Sequence, residues 1–462
     1  MVKIPETILS HLNRLLGLYA ILLIAFLPNC AQGELPSGSA QPADGNSDSI
    51  VNTPQLPVPP GCIGPMATIC NGTVVDTGGG CDAAPGINSC LNAANTVLAL
   101  PPGVYLIRST IQIQYDGITL STQNLSEDTT TCMKDRTSKP CAVLRAADDF
   151  AEKALLLIGK NSRPVNRITP VNRITVDHIA LDGALEARSR NEAITDACGS
   201  KGYGRNVMEA GGANNTIRYS ASVNALCGTA IGWAVAKTGV GSVITKNYIA
   251  HNGLGFPERT IWSDGLTIGK VSGATITDNL FKDSTDVDVV IGGATNSTFS
   301  GNIIRHLSRH SFAGFMLTNW SLRTSPGTAQ WADFRGFDIS NNTFNCNSRV
   351  EICVQIGVFP WFFPPTDWAR WRTMGGTFRD NRIYTQLQGI NFGGGGTLRF
   401  PFVMYGNSIF SAANTADVGV SDRKSRRVGK MNVFRPGAEN FIEVRDGQEN
   451  DVDMADSWHS IF

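Results

Sequence analysis

The chain has 462 residues, 39 basic and 39 acidic side chains, only 17% charged residues and 48 glycines. A neutral, sparsely charged surface does not match a polyphosphate, so nucleic-acid partners are excluded, and the glycine content suits a turn-rich β protein. The length admits one large solenoid or two to three ordinary domains.

Lys3 and Arg14 bracket the approach to an apolar run from Leu15 to Leu27. That run has the length of a signal-peptide core and falls short of the ~20 residues that span a bilayer, so residues 1–33 read as an export signal. Leu27-Pro28-Asn29-Cys30 stands where a bacterial lipoprotein carries its lipidated cysteine, which would tether the mature chain to a membrane through Cys30. Plain cleavage near Ala31-Gln32-Gly33 is the alternative. Residues 34–60, rich in Pro, Ser, Gly, Asp and Gln, have too little apolar surface to offset the entropy of ordering and read as a flexible linker.

Of 11 cysteines, ten remain once Cys30 is set aside, enough to pair completely. Cys132 with Cys141 and Cys346 with Cys353 are close enough to staple loops in an oxidising compartment. No Cys-x-x-Cys or paired His-x-x-x-His accompanies them, so disulfides are expected and zinc is not. The expected location is secreted, cell-surface or periplasmic.

From residue 61 to about 415 the sequence reads as one solenoid. Leu100-Pro101-Pro102-Gly103-Val104-Tyr105 forms a turn feeding a strand, and Asn88 to Ala99 is expected to supply a short helix that caps the open end. A degenerate pattern then recurs: apolar, polar, apolar, then Asn, then apolar. It runs through Val243-Ile244-Thr245-Lys246-Asn247-Tyr248-Ile249, Ala274 to Phe281 with Asn279, Thr298 to Ile304 with Asn302, Phe337 to Phe344 with Asn342, Phe378 to Ile383 with Asn381, and Val403 to Ile409 with Asn407. Ile174 to Ile179 fits with His178 in the Asn place. Short alternating strands broken by Asn at turns that tolerate positive φ cannot bury their apolar side alone and must stack on neighbouring copies. The fold class predicted is all-β, a single-stranded right-handed parallel β-helix with an N-terminal cap. Residues 416–462, which become charged, read as a C-terminal cap or tail.

In the Pro-Pro-Gly-Val-Tyr turn and the repeated Ile-Thr-x-x-Asn-x-Ile/Phe strands, the chain resembles the pectate-lyase-like β-helix superfamily over most of Val74 to Ser411. That resemblance implies the fold and leaves the reaction open, because the superfamily includes hydrolases, lyases, epimerases, tailspike-type proteins and adhesins.

The densest candidate chemistry is Trp262-Ser263-Asp264-Gly265, then Asp283-Ser284-Thr285-Asp286-Val287-Asp288, then Arg309-His310. Asp264 and Asp286 are 22 residues apart, about one coil, so equivalent strand positions would stack them at the ~4.8 Å spacing of adjacent strands. Asp286 and Asp288, two apart on a strand, are expected to point the same way. Clustered carboxyls raise one another's pKa and so supply an acid and a base for glycosidic cleavage.

The order resembles the polygalacturonase-type glycoside hydrolases, whose Asn-Thr-Asp-Gly, Gly-Asp-Asp and Gly-His-Gly motifs fall on successive coils. On that resemblance Asp264 is the first aspartate, Asp286 the first of the pair and His310 the motif histidine, with Val287 in the second aspartate's place and Asp288 displaced by one. Asp283, Asp286 and Asp288 also read as a calcium site for a lyase, with Lys282 or Arg309 as base. Against both stands the common use of Asp and Asn as turn residues bonding nearby backbone.

Arg309, Arg323, Trp361, Trp368 and Arg370 are the candidate substrate-binding residues. The last three come from a Pro-rich aromatic insertion that cannot continue a sheet and is expected to project as a loop, where Trp stacks on sugars and Arg grips carboxylates. His178, His251 and His306 read as turn residues. The function expected is an exported, monomeric polysaccharide-active enzyme on a substrate that includes uronates, with hydrolysis ahead of β-elimination. A non-catalytic glycan-binding or adhesin-like β-helix is the rival. Carboxylates converging at the surface favour the enzyme, and aspartates turned into backbone bonds favour the binder.

Overall fold

The computed structural model describes residues 65–134, 140–162, 167–200, 206–233, 239–255, 261–317, 332–357, 373–385, 388–393, 402–411 and 416–420. Three long parallel sheets of ten, eleven and ten strands wrap one core. Each coil gives one strand to each sheet in turn. One coil contributes Thr275–Thr277, Leu280–Lys282 and Val287–Ile291, and the next contributes Thr298–Ser300, Ile303–Arg305 and Ser311–Leu317. Equivalent strands pair in register, as Ile276 with Phe299 and Phe281 with Ile304. This is a right-handed parallel β-helix, the hand that twisted strands with parallel crossovers adopt.

The strands are short because the sequence alternates over only three to five residues before a turn. Their inward members, including Ile276, Phe281, Val289, Phe299, Phe315, Phe344 and Phe378, are fully buried. The phenylalanines form a continuous interior stack, with ring centroids 4.9 Å apart from Phe299 to Phe315 and 5.7 Å from Phe344 to Phe378.

The recurrent asparagines form a buried ladder between the first and second sheets. Asn302 is typical: its Oδ1 accepts the backbone N–H and the Nδ2 of Asn279 at 3.0 Å each, while its own Nδ2 donates to the Ile276 carbonyl at 2.9 Å and to Asn342 Oδ1 at 3.1 Å. The chain of bonds continues through Asn247, Asn279, Asn342, Asn381 and Asn407. The expectation that the Asn itself takes positive φ is corrected here. The left-handed residue is the one before it: Lys246, Asp278, Gly301, Asn341, Asp380 and Gly406. The turn needs the left-handed conformation one residue earlier so that the Asn amide can face inward and bond the backbone of the preceding coil and the Asn side chain of the next. His178 therefore does not take the Asn place. It aligns with Lys246 at the left-handed position, with φ 53°. Ile179 occupies the ladder position of that coil, and its N–H donates to the hydroxyl of Ser220, which holds the same position in the next coil.

The predicted cap is present, but its helix lies earlier than expected, at Ala84–Cys90. Pro85 starts it, as the missing N–H costs nothing in a first turn, whereas Val97–Leu100 alternates and joins the first sheet beside Thr119–Thr122. Asn88 substitutes for a neighbouring strand at the open edge: its Nδ2 donates to the Thr110 carbonyl at 3.0 Å and its Oδ1 accepts the Gln112 N–H at 2.8 Å. A Cys70–Cys90 disulfide ties the helix to the hairpin of Met66–Cys70 and Thr73–Asp76. Cys132–Cys141 and Cys346–Cys353 pair as the spacing predicted, Cys198 joins Cys227, and Cys81 is also disulfide-bonded. Such staples belong to a chain that folds in an oxidising compartment. The last described strand, Ala416–Val420, extends the third sheet beside Gln388–Gly393.

Candidate active site

The third sheet has an irregular start that decides where each aspartate goes. Along Val287–Ile291, Val289 and Ile291 belong to the main core, whereas Val287 and Val290 pack outside it with Ala313, Met316 and Ile352. The outward positions are thus three apart, and two successive residues turn inward between them. Ladder pairing skips one residue at the same place in each coil, with Val287 facing Ala313 and Val289 facing Phe315. Glycine fills the kink in the neighbouring coils, at Gly265 and Gly314. A Cβ on Gly265 would lie 2.5 Å from the Asp288 carbonyl oxygen, so the Gly of the Asp-Gly motif is required by the close approach of two coils.

This kink corrects two expectations. Leu266 faces Val289, an offset of 23 residues, so Asp264 stands opposite Val287 rather than Asp286. Asp286 precedes the strand, and its N–H donates to the Ser263 carbonyl at 3.2 Å. Asp286 and Asp288 do not point the same way, because period-two alternation fails at the kink. Asp286 is half-buried at the surface and Asp288 is wholly inside.

Asp264 and Asp286 nevertheless form a carboxyl pair. Asp264 Oδ1 accepts the Val287 N–H at 3.2 Å, which holds it against the residue next to Asp286, and its Oδ2 accepts the Thr267 hydroxyl at 2.7 Å. Asp286 is fixed by its backbone, whose carbonyl accepts the Ser311 hydroxyl at 2.6 Å and the N–H groups of Phe312 and Ala313 at 3.0 and 3.2 Å. Its Oδ1 is buried and has no hydrogen-bond partner among the described residues. Burial, then repulsion from Asp286, pushes the Asp264 pKa well above the ordinary carboxylate range against the opposing Thr267 and Val287 bonds. Burial pushes Asp286 up to about 7. The apolar outward cluster of Val287, Val290, Ala313, Met316 and Ile352 accounts for the desolvation.

The other two aspartates are internal. Asp283 caps the turn above it, with Oδ1 accepting the N–H groups of Leu307 and Ser308 at 2.8 and 3.0 Å and Oδ2 the Ser308 hydroxyl at 2.8 Å. These bonds outweigh its burial and leave its pKa below the usual value. Asp288 accepts the Ser284 N–H at 3.1 Å and bonds His306 Nε2. His306 is fully buried, and although burial opposes it, Asp288 holds its pKa above the usual value. The calcium reading fails on this geometry, since Asp283 and Asp288 are each committed to other partners. No group of three metal-ligating side chains gathers among the described residues.

His310 is exposed and lies 3.2 Å from Arg349. The histidine that reaches an aspartate of the cluster is His306. Arg309 is partly buried, and its guanidinium donates through Nη1 to the Gly253 carbonyl. Arg323, Trp361, Trp368 and Arg370 lie outside the described residues.

Sequence reading missed Thr267, three residues after Asp264, because it assumed a two-residue period. It also missed Glu209, a buried carboxylate in the outward row that runs through Gly232 and Thr267. Glu209 pairs with Lys153 at 3.1 Å, and burial raises its pKa. A lone charge in Val207-Met208-Glu209-Ala210 was its only signal.

No protein-family model matches the chain, and no characterised protein matches it in sequence. Among solved structures it is similar to the Dettilon tailspike protein (13% identity, TM-score 0.44, 75% of this chain and 62% of that one). It is also similar to the Thermotoga maritima exopolygalacturonase (11%, 0.44, 80% and 93%) and the tailspike of Escherichia coli bacteriophage HK620 (10%, 0.47, 76% and 58%). The chain spans about three fifths of the length of the two tailspikes.

Proposed function

We propose that the protein is a polysaccharide-active glycoside hydrolase in which Asp264 and Asp286 are the catalytic residues. The observation that carries this reading is the pair itself: two surface-reaching carboxyls on neighbouring coils, both with raised pKa, one with an unpartnered buried oxygen. A purely structural aspartate is bonded out, as Asp283 is. Burial raises both groups, and Asp264 also feels the Asp286 charge, so the pair keeps one proton near neutrality. The productive arrangement has it on Asp286, because two hydrogen bonds favour the anion of Asp264 and none among the described residues reaches Asp286 Oδ1. Asp286 then donates it to the glycosidic oxygen, while ionised Asp264 supports attack at the anomeric carbon. Thr267 orients Asp264, and Asp288 with His306 holds the turn from beneath.

Elimination is less well supported, because neither base read for it accompanies the pair. Lys282 lies on the second sheet and Arg309 is bonded to Gly253. The same reading puts the mature chain outside the cytoplasm, released or held through Cys30.

A panel of acidic and neutral polysaccharides should yield new reducing ends without the ultraviolet absorbance of unsaturated uronates. Because the acid must carry its proton, the rate should fall as pH rises through about 7. Absorbance would replace hydrolysis by elimination, and silence across the panel would favour the binding protein.

A further inference from the structure

One outward row of the second sheet runs through Arg145, Asp182, Val223, Ala250, Lys282, Arg305, Asn345 and Tyr384, each directly facing the next. At its N-terminal end opposite charges meet, with Arg145 3.9 Å from Asp182. Elsewhere outward cations also have partners in other coils, as Arg218 with Asp177 at 2.7 Å and Arg379 with Asp338 at 2.8 Å. Lys282 and Arg305 break this habit. They face each other in register, adjacent strands being ~4.8 Å apart, where like charges destabilise a sheet. Exposed Arg382 stands two coils further on in the adjacent outward row, facing Thr343, and among the described residues none of the three has an ion-pair partner. Beside Lys282, Asp283 is buried and bonded to backbone, and beside Arg382, Asp380 is paired with Arg379 at 3.0 Å. His251 is held below its usual pKa by burial and then by Lys282, which is consistent with a local excess of positive charge.

We infer that Lys282, Arg305 and Arg382, with Asn345 and half-exposed Tyr384 beside them, form a second binding site that holds the carboxylates of an acidic polysaccharide on a sheet other than the one bearing Asp264 and Asp286. A glycan suits this face because Lys282 and Arg305 stand one coil apart, a spacing comparable to one pyranose in an extended chain, with Arg382 two coils further along. Arg and Lys pair with carboxylates through charge-assisted bonds. The inference deepens the polysaccharide reading by naming the charge of the ligand, and rests on that reading for the ligand being a sugar. It does not depend on bond cleavage.

Affinity electrophoresis of the full chain in gels containing polygalacturonate tests it. Wild type should be retarded, and retardation should weaken with added salt. A Lys282→Gln/Arg305→Gln double variant should bind about 10-fold more weakly or less still. Its thermal melt should be no lower than wild type, because the change removes a repulsion. Asp286→Asn should be retarded like wild type, which separates failure of this site from failure of the catalytic reading. Equal retardation of the double variant and wild type would overturn the inference, as would equal retardation by a neutral glucan or equal affinity for single-stranded DNA.

Discussion

An Asp286→Asn variant should lose catalysis and gain stability at once. If Asp286 is the proton donor, its amide cannot protonate the leaving oxygen, and kcat should fall by about 10³-fold or more with little change in KM. The stability effect follows from linkage. The folded-state pKa is raised from 3.8 to about 7, so the folded protein binds this proton more tightly than the unfolded chain. The contribution is fully present below the unfolded value and is lost as pH rises through the folded one. At pH 8 wild type therefore carries a cost of about 2–4 kcal/mol that the asparagine removes, given ~1.4 kcal/mol per pKa unit and partial exposure. Urea unfolding of both proteins at pH 8 and pH 4 checks this: the variant should be the more stable at pH 8, and the advantage should shrink at pH 4. A variant equal to wild type in both activity and stability would make Asp286 an ordinary surface residue.

The second large effect belongs to the asparagine ladder. Asn302→Ala removes a side chain that bonds Asn279 twice, the Ile276 carbonyl and Asn342. The partners are buried and cannot turn to water, so the loss should be about 3–5 kcal/mol. The expected result is a lower urea midpoint with an unchanged slope. Asn407→Ala should cost less, because Asn407 accepts from Asn381 and donates to the Phe378 carbonyl but has no further ladder partner among the described residues. A loss below about 1 kcal/mol at Asn302 would mean that the stacked coils are held by apolar burial alone.

The solenoid was legible because its repeat is written in residues that cannot do otherwise: a central apolar side chain such as Ile276 or Phe299, flanked by polar ones and followed by Asn. The close cysteine pairs were legible for a similar reason, since few residues separate them. The helix of the cap was misplaced because Asn88 suggested a helix start, whereas Pro85 sets the first turn and the Asn serves an edge strand. In the proposed site, the sequence pointed to the coils that carry Asp264 and Asp286, but equal strand positions pair Asp264 with Val287 and not with Asp286. A kink at Gly265 and Asp288 shifts the outward row by one residue, and local sequence carries no sign of it beyond the glycine. The same kink sends Asp288 inward to buried His306, a contact that sequence does not reveal, whereas His310, read from its resemblance to the motif histidine, is exposed four residues further on.

On the proposed mechanism Asp264 and Asp286 act together as one carboxyl pair that retains a proton near neutrality. Carbon-13 NMR of aspartate carboxyls across a pH titration measures this directly. An aspartate signal in wild type should titrate near pH 7 and be missing in Asp286→Asn. Titration of every aspartate below about pH 5, the ordinary carboxylate range, would contradict it.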